Sequence, residues 1–407
     1  MKNNTLIKQT KEHLHILCTE ISERRVGSKG NRKATNYLKS ELQKNKWKVE
    51  ETLLKVMDWK TQGATLSCGQ QFFDVFSSPY SLGCSVQGEL VPVDTIEKLY
   101  KSEITDKIVF LYGKIASEQI MPKNFEFYNP EEHKQIIASI EQKNPKAIIC
   151  ATSRNSALAG GVYPFPLFED GDFDIPSVYM KDVEGEKLLT CSKPIIKLES
   201  KAKRIPETAY NIVARKEGKA QKRIVISAHI DSKIGTQGAI DNATGVTVLL
   251  LLSELFNTYN GKYQIELVAF NGEDYYAVSG QMKYIKQNKG RFNDVVLNIN
   301  IDGVGYIDGL SCISAFNLPD DIQAKLNDII QNNPNIVIGL PWYQGDHSIF
   351  IQNGCPALAI SSDWLIRNME SQEVTHTTKD NLSIINFERI PECVIAIKDL
   401  INALEEM

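Results

Sequence analysis

The sequence predicts an α/β protein with a mostly parallel or mixed sheet, helices on both of its faces, and an inserted β-rich domain. Three observations predict this. From Tyr210 onward, short apolar runs alternate with longer helix-like runs, the pattern of strand–helix–strand units around a largely parallel sheet. Between Met57 and Lys203 that alternation gives way to short strand-like runs separated by turn signals. The chain has 407 residues, which a prior of roughly 150 per domain divides into two or three domains, or one large domain with an insertion.

Taken in order, Arg25–Gly30 (RVGSKG) opens a helix whose Ala34, Leu38 and Leu42 share one face at four-residue spacing. Its Gly-Ser-Lys-Gly run lacks the spacing and context of a phosphate-binding P-loop and reads as a helix start. In the middle segment the strand-like runs are Ala64–Ser67, Gln87–Val93, Lys107–Leu111, Ala147–Cys150, Ser177–Met180 and Ile195–Leu198. One helix, near Pro130–Gln142, sits among them, and the whole module has roughly 140 residues, an ordinary domain size. Beyond it the expected strands are Asn211–Ala214, Arg223–Ala228, Gln264–Phe270, Val295–Ile301 and Ala357–Ser361. The expected helices there are Gly245–Asn257, Gly280–Asn288, Asp320–Gln331 and Phe387–Glu406. The organisation that follows is a discontinuous domain, residues 1–56 and 204–407, interrupted by residues 57–203.

Composition narrows the function classes. An apolar fraction of 42% with 24% charged residues excludes wholesale disorder. A net charge of −4 argues against a general nucleic-acid or membrane-surface binder. The longest apolar stretch, around Val246–Leu252, is less than half of the ~18–20 residues that cross a bilayer. Met1–Leu17 carries charges throughout and does not read as a signal peptide, so a cytoplasmic protein is expected. The eight cysteines (18, 68, 84, 150, 191, 312, 355 and 393) contain no C-x-x-C pair and are expected as reduced, mostly buried thiols. Cys355, between Gly354 and Pro356, is a candidate nucleophile, though packing in a turn explains it as well. The acidic loop Glu169–Asp174 resembles the start of a calcium loop, but Lys181 stands where a twelve-residue loop needs its Glu, so a solvated turn is expected. No oligomeric state follows from the sequence.

The chemistry collects at strand ends. RIVISA is followed by His229-Ile-Asp231, and a short loop then brings Gly238-Ala-Ile-Asp241-Asn-Ala-Thr-Gly245 into the next helix. QIELVAF is followed by Asn271-Gly-Glu273-Asp274, VVLNINI by Asp302-Gly, and the last strand region by Thr375-His376-Thr377. In an open α/β sheet, ligands bind outside the carboxyl ends of the strands, where the loops converge. Each residue alone reads as a cap or turn former; Asp241-Asn242 suits a helix N-cap and Asp302-Gly303 a turn. Five such groups at strand ends, in a chain with only six histidines, instead point to a metal site. Two imidazoles with three carboxylates suit zinc or a similar divalent ion.

Here the sequence resembles the M28 family of metallo-aminopeptidases, zinc exopeptidases with co-catalytic metal sites. The resemblance is carried by H-I-D (229–231), G-A-I-D-N-A-T-G (238–245), N-G-E-D (271–274), N-I-D-G (300–303), G-D-H (345–347), G-C-P-A-L (354–358) and T-H-T (375–377). The pieces run in the family's order, with 12 residues from 229 to 241, 32 to 273, 29 to 302 and 74 to 376. The resemblance spans about Arg25–Val56 and Tyr210–Met407, and the insertion is similar in position and texture to a protease-associated domain. It implies a three-layer zinc exopeptidase fold with two zinc ions. Asp241 would bridge both; His229 and Asp302 would complete one ion, and Asp274 and His376 the other. Asp231 would orient the His229 ring by accepting a hydrogen bond from its second nitrogen. Glu273 would be the general base, next to a ligand without being one. Two ions about 3.5–4 Å apart hold a bridging water, lower its pKa and polarise the scissile carbonyl. One departure is Asp274, where the family usually has a second Glu; the shorter side chain bears on how the second ion is held.

The resemblance places a substrate-binding loop at Tyr343, Asp346 and His347, with Asp346 as a receiver for a peptide's free amino group; a helix-capping Asp-His pair is the alternative. The implied function is hydrolysis of N-terminal residues from peptide substrates. Two other readings stay open. A glutaminyl cyclase-type aminoacyltransferase uses a similar zinc site, and a receptor-like binding module is an inactive form of the same scaffold.

Overall fold

The computed structural model describes residues 3–21, 23–155, 161–191 and 195–407. The described chain separates into two compact units, residues 1–56 with 208–407, and residues 57–207. The first unit begins with helices α1 (Asn3–His15) and α2 (Lys29–Lys44), and strand β1 (Lys48–Cys68) leads from it into the second. The second unit holds β2 (Gln71–Phe73), β3 (Phe76–Ser77), β4 (Cys84–Val93), α3 (Ile96–Lys101), β5 (Ile108–Leu111), α4 (Glu131–Lys143), β6 (Ala147–Thr152), β7 (Ser177–Lys181) and α5 (Asp182–Leu189). Strand β8 (Ile195–Lys216) returns the chain to the first unit. There follow β9 (Arg223–His229), α6 (Thr244–Leu255), β10 (Gln264–Phe270), α7 (Ser279–Gln287), β11 (Val295–Ile301) and β12 (Ser311–Phe316). Last come α8 (Asp320–Asn332), β13 (Ile336–Ile338), α9 (His347–Gln352), β14 (Ala357–Ser362), α10 (Asp363–Arg367) and α11 (Arg389–Glu405).

In the first unit the strands run in the order β13-β12-β14-β11-β9-β10-β8. The central pairs β14/β11, β11/β9 and β9/β10 are parallel, while β12/β14 and β10/β8 are antiparallel. A strand with parallel neighbours on both sides needs both faces covered, and every residue of β9 is buried. Helix α6 (TGVTVLLLLSEL) is apolar nearly all round because it packs against β9 and against α1, α2 and α11. Helix α2 starts where Ser28 accepts the Asn31 N–H and buries Ala34, Leu38 and Leu42, the face expected from their spacing.

In the second unit β4, β5, β6 and β7 are parallel, with antiparallel β8 beside β4 and β3 beside β7. Side chains alternate across β5 and β6: Val109, Leu111, Ile148 and Cys150 pack on one side, and Ile108, Phe110, Ala147 and Ile149 on the other. Among the described residues, helices α3, α4 and α5 accompany these strands, where the sequence led to one helix near Pro130–Gln142. Two of the eight cysteines depart from the expectation of reduced thiols. Cys68, at the end of β1, is joined to Cys191, just beyond α5, in a disulfide. Their 123-residue separation left no local pattern to read. The other six are free, and all but Cys84 are buried. Among the described residues, no helix is long and apolar enough to cross a membrane.

Candidate active site

Parallel pairing sets β9, β10 and β11 side by side, and their carboxyl ends deliver the site. His229 is the last residue of β9, in register with Phe270 of β10. Asp302 follows β11, its N–H donating to Ile360 O at 2.8 Å. Before α6 the backbone leaves helical geometry at Asp241 (φ −123°, ψ 84°) and Asn242 (φ −140°, ψ 47°). Asn242, not Asp241, satisfies the helix start: its Oδ1 accepts the Gly245 N–H at 3.0 Å while its Nδ2 donates to Ile301 O at 2.8 Å. That leaves the Asp241 carboxylate for other partners. Gly245 is required here, because a Cβ would lie 2.4 Å from Asn242 Oδ1 and 2.6 Å from Ile301 O.

The five expected ligands come together. Asp241 lies between two imidazoles, Oδ1 at 3.0 Å from His229 Nε2 and Oδ2 at 3.1 Å from His376 Nε2. Asp302 Oδ1 is 3.6 Å from His229 Nε2, and Asp274 Oδ1 is 3.2 Å from His376 Nε2. Two nests result, each with one imidazole, one carboxylate of its own and one oxygen of Asp241. Single donor atoms of His229, Asp241 and Asp274 lie within 4.8 Å of one another. Asp274 Oδ2 is buried and finds no hydrogen-bond donor.

The electrostatics fit a cation. Burial disfavours a charged His229, yet Asp302, Asp231 and Asp241 hold its pKa well above the ordinary value. His376 is partly exposed; desolvation opposes its charge, yet Asp274 and Asp241 push it up to about 10. Burial would raise Asp241, but the two imidazoles hold it far below the usual carboxylate range. The carboxylates thus crowd both rings and favour positive charge between them, the setting in which a divalent ion takes the place of protons. Glu273 is pushed well above its ordinary value by burial, with His229 opposing and Asp274, Asp302 and Asp346 adding to the rise. A carboxyl tuned upward beside such a cluster suits proton transfer.

Asp231 departs from its expected geometry. The His229 Nδ1–H donates to the backbone carbonyl of Asp231 at 3.2 Å, and the carboxylate stands 3.8 Å away. The carboxylate instead accepts the N–H groups of Gly272 at 2.8 Å and Asp274 at 3.0 Å. Asp231 therefore ties the β9 end to the loop that carries Glu273 and Asp274. Its side chain had two competing partners, and the backbone amides of a tight loop won.

On the expected substrate loop, Asp346 is buried with one oxygen held by Gln281 Nε2 at 2.6 Å and Oδ2 without a donor. Burial first, with Asp302 and Asp231 adding, pushes its pKa up to about 7. Tyr343 is exposed, its ring 5.3 Å from Phe316. His347 is a core residue: it is fully buried, Nε2 pairs with Trp342 O at 2.9 Å, and the ring packs 4.6 Å from Trp342. The acidic loop of the other unit is closed by protein donors, with Asp170 accepting from Lys123 N and Asp172 N, Asp172 from Asn124, and Asp174 from Arg204. Three buried residues next to the site escaped the sequence reading: Gln281, Arg24 and Asp380. For Asp380 the readable signal is its place four residues beyond His376; burial first, then the Asp241 charge, pushes it up to about 7.

Imidazoles and carboxylates gathered beyond the carboxyl ends of a mixed sheet define a metal-dependent hydrolase type of site. Residues 211–401 match Peptidase family M28, a match that marks the chain as a hydrolase of the exopeptidase class. Aminopeptidase YwaD of Bacillus subtilis is 23% identical over 401 residues, 94% of this chain and 82% of that protein. Leucine aminopeptidase 1 of Emericella nidulans is 25% identical over 207 residues, 45% of this chain and 52% of that one. Among solved structures, an aminopeptidase from Aneurinibacillus sp. strain AM-1 superposes with a TM-score of 0.74 at 18% identity, covering 98% of this chain and 95% of that one. BSAP, a zinc aminopeptidase from Bacillus subtilis, gives 0.74 at 18% identity, covering 97% and 94%.

Proposed function

We propose that this exopeptidase is a metal-dependent aminopeptidase that removes N-terminal residues from peptides, with Glu273 as its general base. The observation that carries the reading is the Asp241 carboxylate shared between two imidazole–carboxylate nests. His229, Asp302 and Asp241 would hold one zinc ion, and His376, Asp274 and Asp241 a second. When bound, such ions polarise the scissile carbonyl and acidify water. Glu273 takes the proton from the attacking water and returns it to the departing amine. Its elevated pKa makes it a usable acid in the second half of that task. Asp346, with Oδ2 lacking a donor, is assigned to the substrate's free amino group, and exposed Tyr343 to the peptide flanking it. His347 shapes this loop from within the core rather than touching substrate.

The insertion is read as a protease-associated-like domain on its position between β1 and β8. The Cys68–Cys191 bridge supports an oxidising setting in place of the expected cytoplasm.

In Glu273→Gln, kcat on aminoacyl substrates should fall by about 10²–10⁴, the usual worth of general-base catalysis, with bound zinc near wild type by elemental analysis. Unchanged turnover sinks the assignment. A Gln-initiated peptide separates the related chemistries: free Gln supports hydrolysis, whereas loss of ammonia points to cyclisation.

A further inference from the structure

His229 and Asp241 are joined by residues 230–240, a stretch without a strand or α-helix. A bridging carboxylate needs its backbone fixed to a fraction of an ångström, so something outside the ligand set must hold this loop. We propose that Arg24 and Asp380 are positioning residues that clamp it from its carbonyl side and its amide side, setting the spacing of the metal ligands. The inference rests on the metal-dependent reading above.

Arg24 comes from the segment between α1 and α2, far from the ligands in sequence, and its side chain is fully buried. Its Nε donates to Ile230 O at 3.0 Å, Nη1 to Leu17 O at 3.0 Å and Gln237 O at 2.7 Å, and Nη2 to Gly238 O at 2.7 Å. One planar fork therefore holds both ends of the loop, next to His229 and three residues before Asp241. A lysine ammonium presents its donors from a single point and cannot span those carbonyls. Gly238 is matched to the clamp. It has φ +58°, and a Cβ there would stand 2.8 Å from Arg24 Nη2 and 2.5 Å from Asp241 O. The same segment reaches the second loop: Asn31 Nδ2 donates to Arg24 O and to Asn271 Oδ1, each at 2.8 Å, and Asn271 Nδ2 donates back at 2.9 Å.

Asp380 supplies the other jaw. It is fully buried, and its carboxylate accepts the N–H groups of Ile240 at 2.7 Å and Asp241 at 3.2 Å. Its own N–H donates to Thr377 O at 3.1 Å, closing the turn over 377–380 that directly follows His376. Asp380 thereby joins the backbone amide of Asp241 to the turn directly after His376, without supplying a ligand itself.

The test uses the full chain stripped of metal. Zinc is titrated against a chromophoric chelator, and the visible spectrum of the cobalt-loaded protein reports ligand geometry. Arg24→Lys and Asp380→Asn should each weaken zinc binding by about 10–100-fold, the usual cost of losing an outer partner of a ligand, and alter the cobalt bands. Arg223→Lys is the control. Arg223 is equally buried, but it starts β9, at the opposite end of the strand from His229, and pairs with Glu266 and Asn288. It should lower the unfolding midpoint while leaving zinc affinity and cobalt bands at wild type. Wild-type affinity and bands in both Arg24→Lys and Asp380→Asn overturn the inference, as does an equal loss in Arg223→Lys. Wild-type protein that takes up neither ion overturns the metal reading first, and this inference with it.

Discussion

Cys355 and Glu273 show how much a residue's setting decides its chemistry. A cysteine between Gly354 and Pro356 reads in sequence as a candidate nucleophile or as packing in a turn; its thiol is buried and donates to Phe292 O at 3.4 Å. Burial pushes its pKa up to about 11, so at neutral pH almost none of it is thiolate. Cys355→Ser should accordingly keep kcat within about twofold, and iodoacetamide should leave native protein active; loss of activity in both would restore the thiol as a nucleophile. Asp346 and His347 diverge in the same way. They are neighbours in one motif, yet the carboxylate keeps an oxygen without a donor while the imidazole is absorbed into an aromatic cluster. Side-chain type was readable for both; which way each points was set by Trp342, Phe316 and Gln281, distant in sequence or silent in pattern.

At the scale of elements, the strands that carry ligands were legible because each is a short apolar run that ends in a polar residue or is followed at once by one. RIVISAH, QIELVAF and VVLNINI form β9, β10 and β11 at or within a residue of their expected ends. Less regular runs escaped. Ser311–Phe316 mixes small and polar residues, and Asn3–His15 has its buried Leu6 and Leu14 diluted by charges, so β12 and α1 went unread. The entry into α6 joins both levels: its first turn is capped by Asn242, and that frees Asp241 to face the two imidazoles. Gly245→Ala tests this junction. The added methyl meets Asn242 Oδ1 and Ile301 O, so it must displace the cap; about 1–3 kcal/mol of stability should be lost, with weaker zinc binding. Calorimetry and metal titration read the two effects, and unchanged values in both would mean that the Asn242 cap does not set the Asp241 geometry.

Across the whole molecule, what the sequence hid is what joins distant segments. All five expected ligands sit at strand ends or in turns, where residue type and order are visible. The groups that hold those ends in place act on backbone carbonyls and amides, so the sequence does not show what they bind; Arg24 and Asp380 are the examples. The Cys68–Cys191 bridge is hidden for the same reason, being a contact between chain positions 123 residues apart. Its consequence is calculable. Closing a loop of that length restrains the unfolded chain, and for ~100 residues the entropic worth is about 4.7 kcal/mol. Most of the unit at residues 57–207 lies inside this loop. Cys191→Ser, or reductant added to the wild type, should therefore lower a calorimetric unfolding transition by several degrees. Zinc content should stay unchanged, because His229, Asp241, Asp274, Asp302 and His376 all lie in the other unit. If the thermograms of oxidised and reduced protein superimpose, the bridge contributes nothing to that unit's stability, and its support for an oxidising setting falls with it.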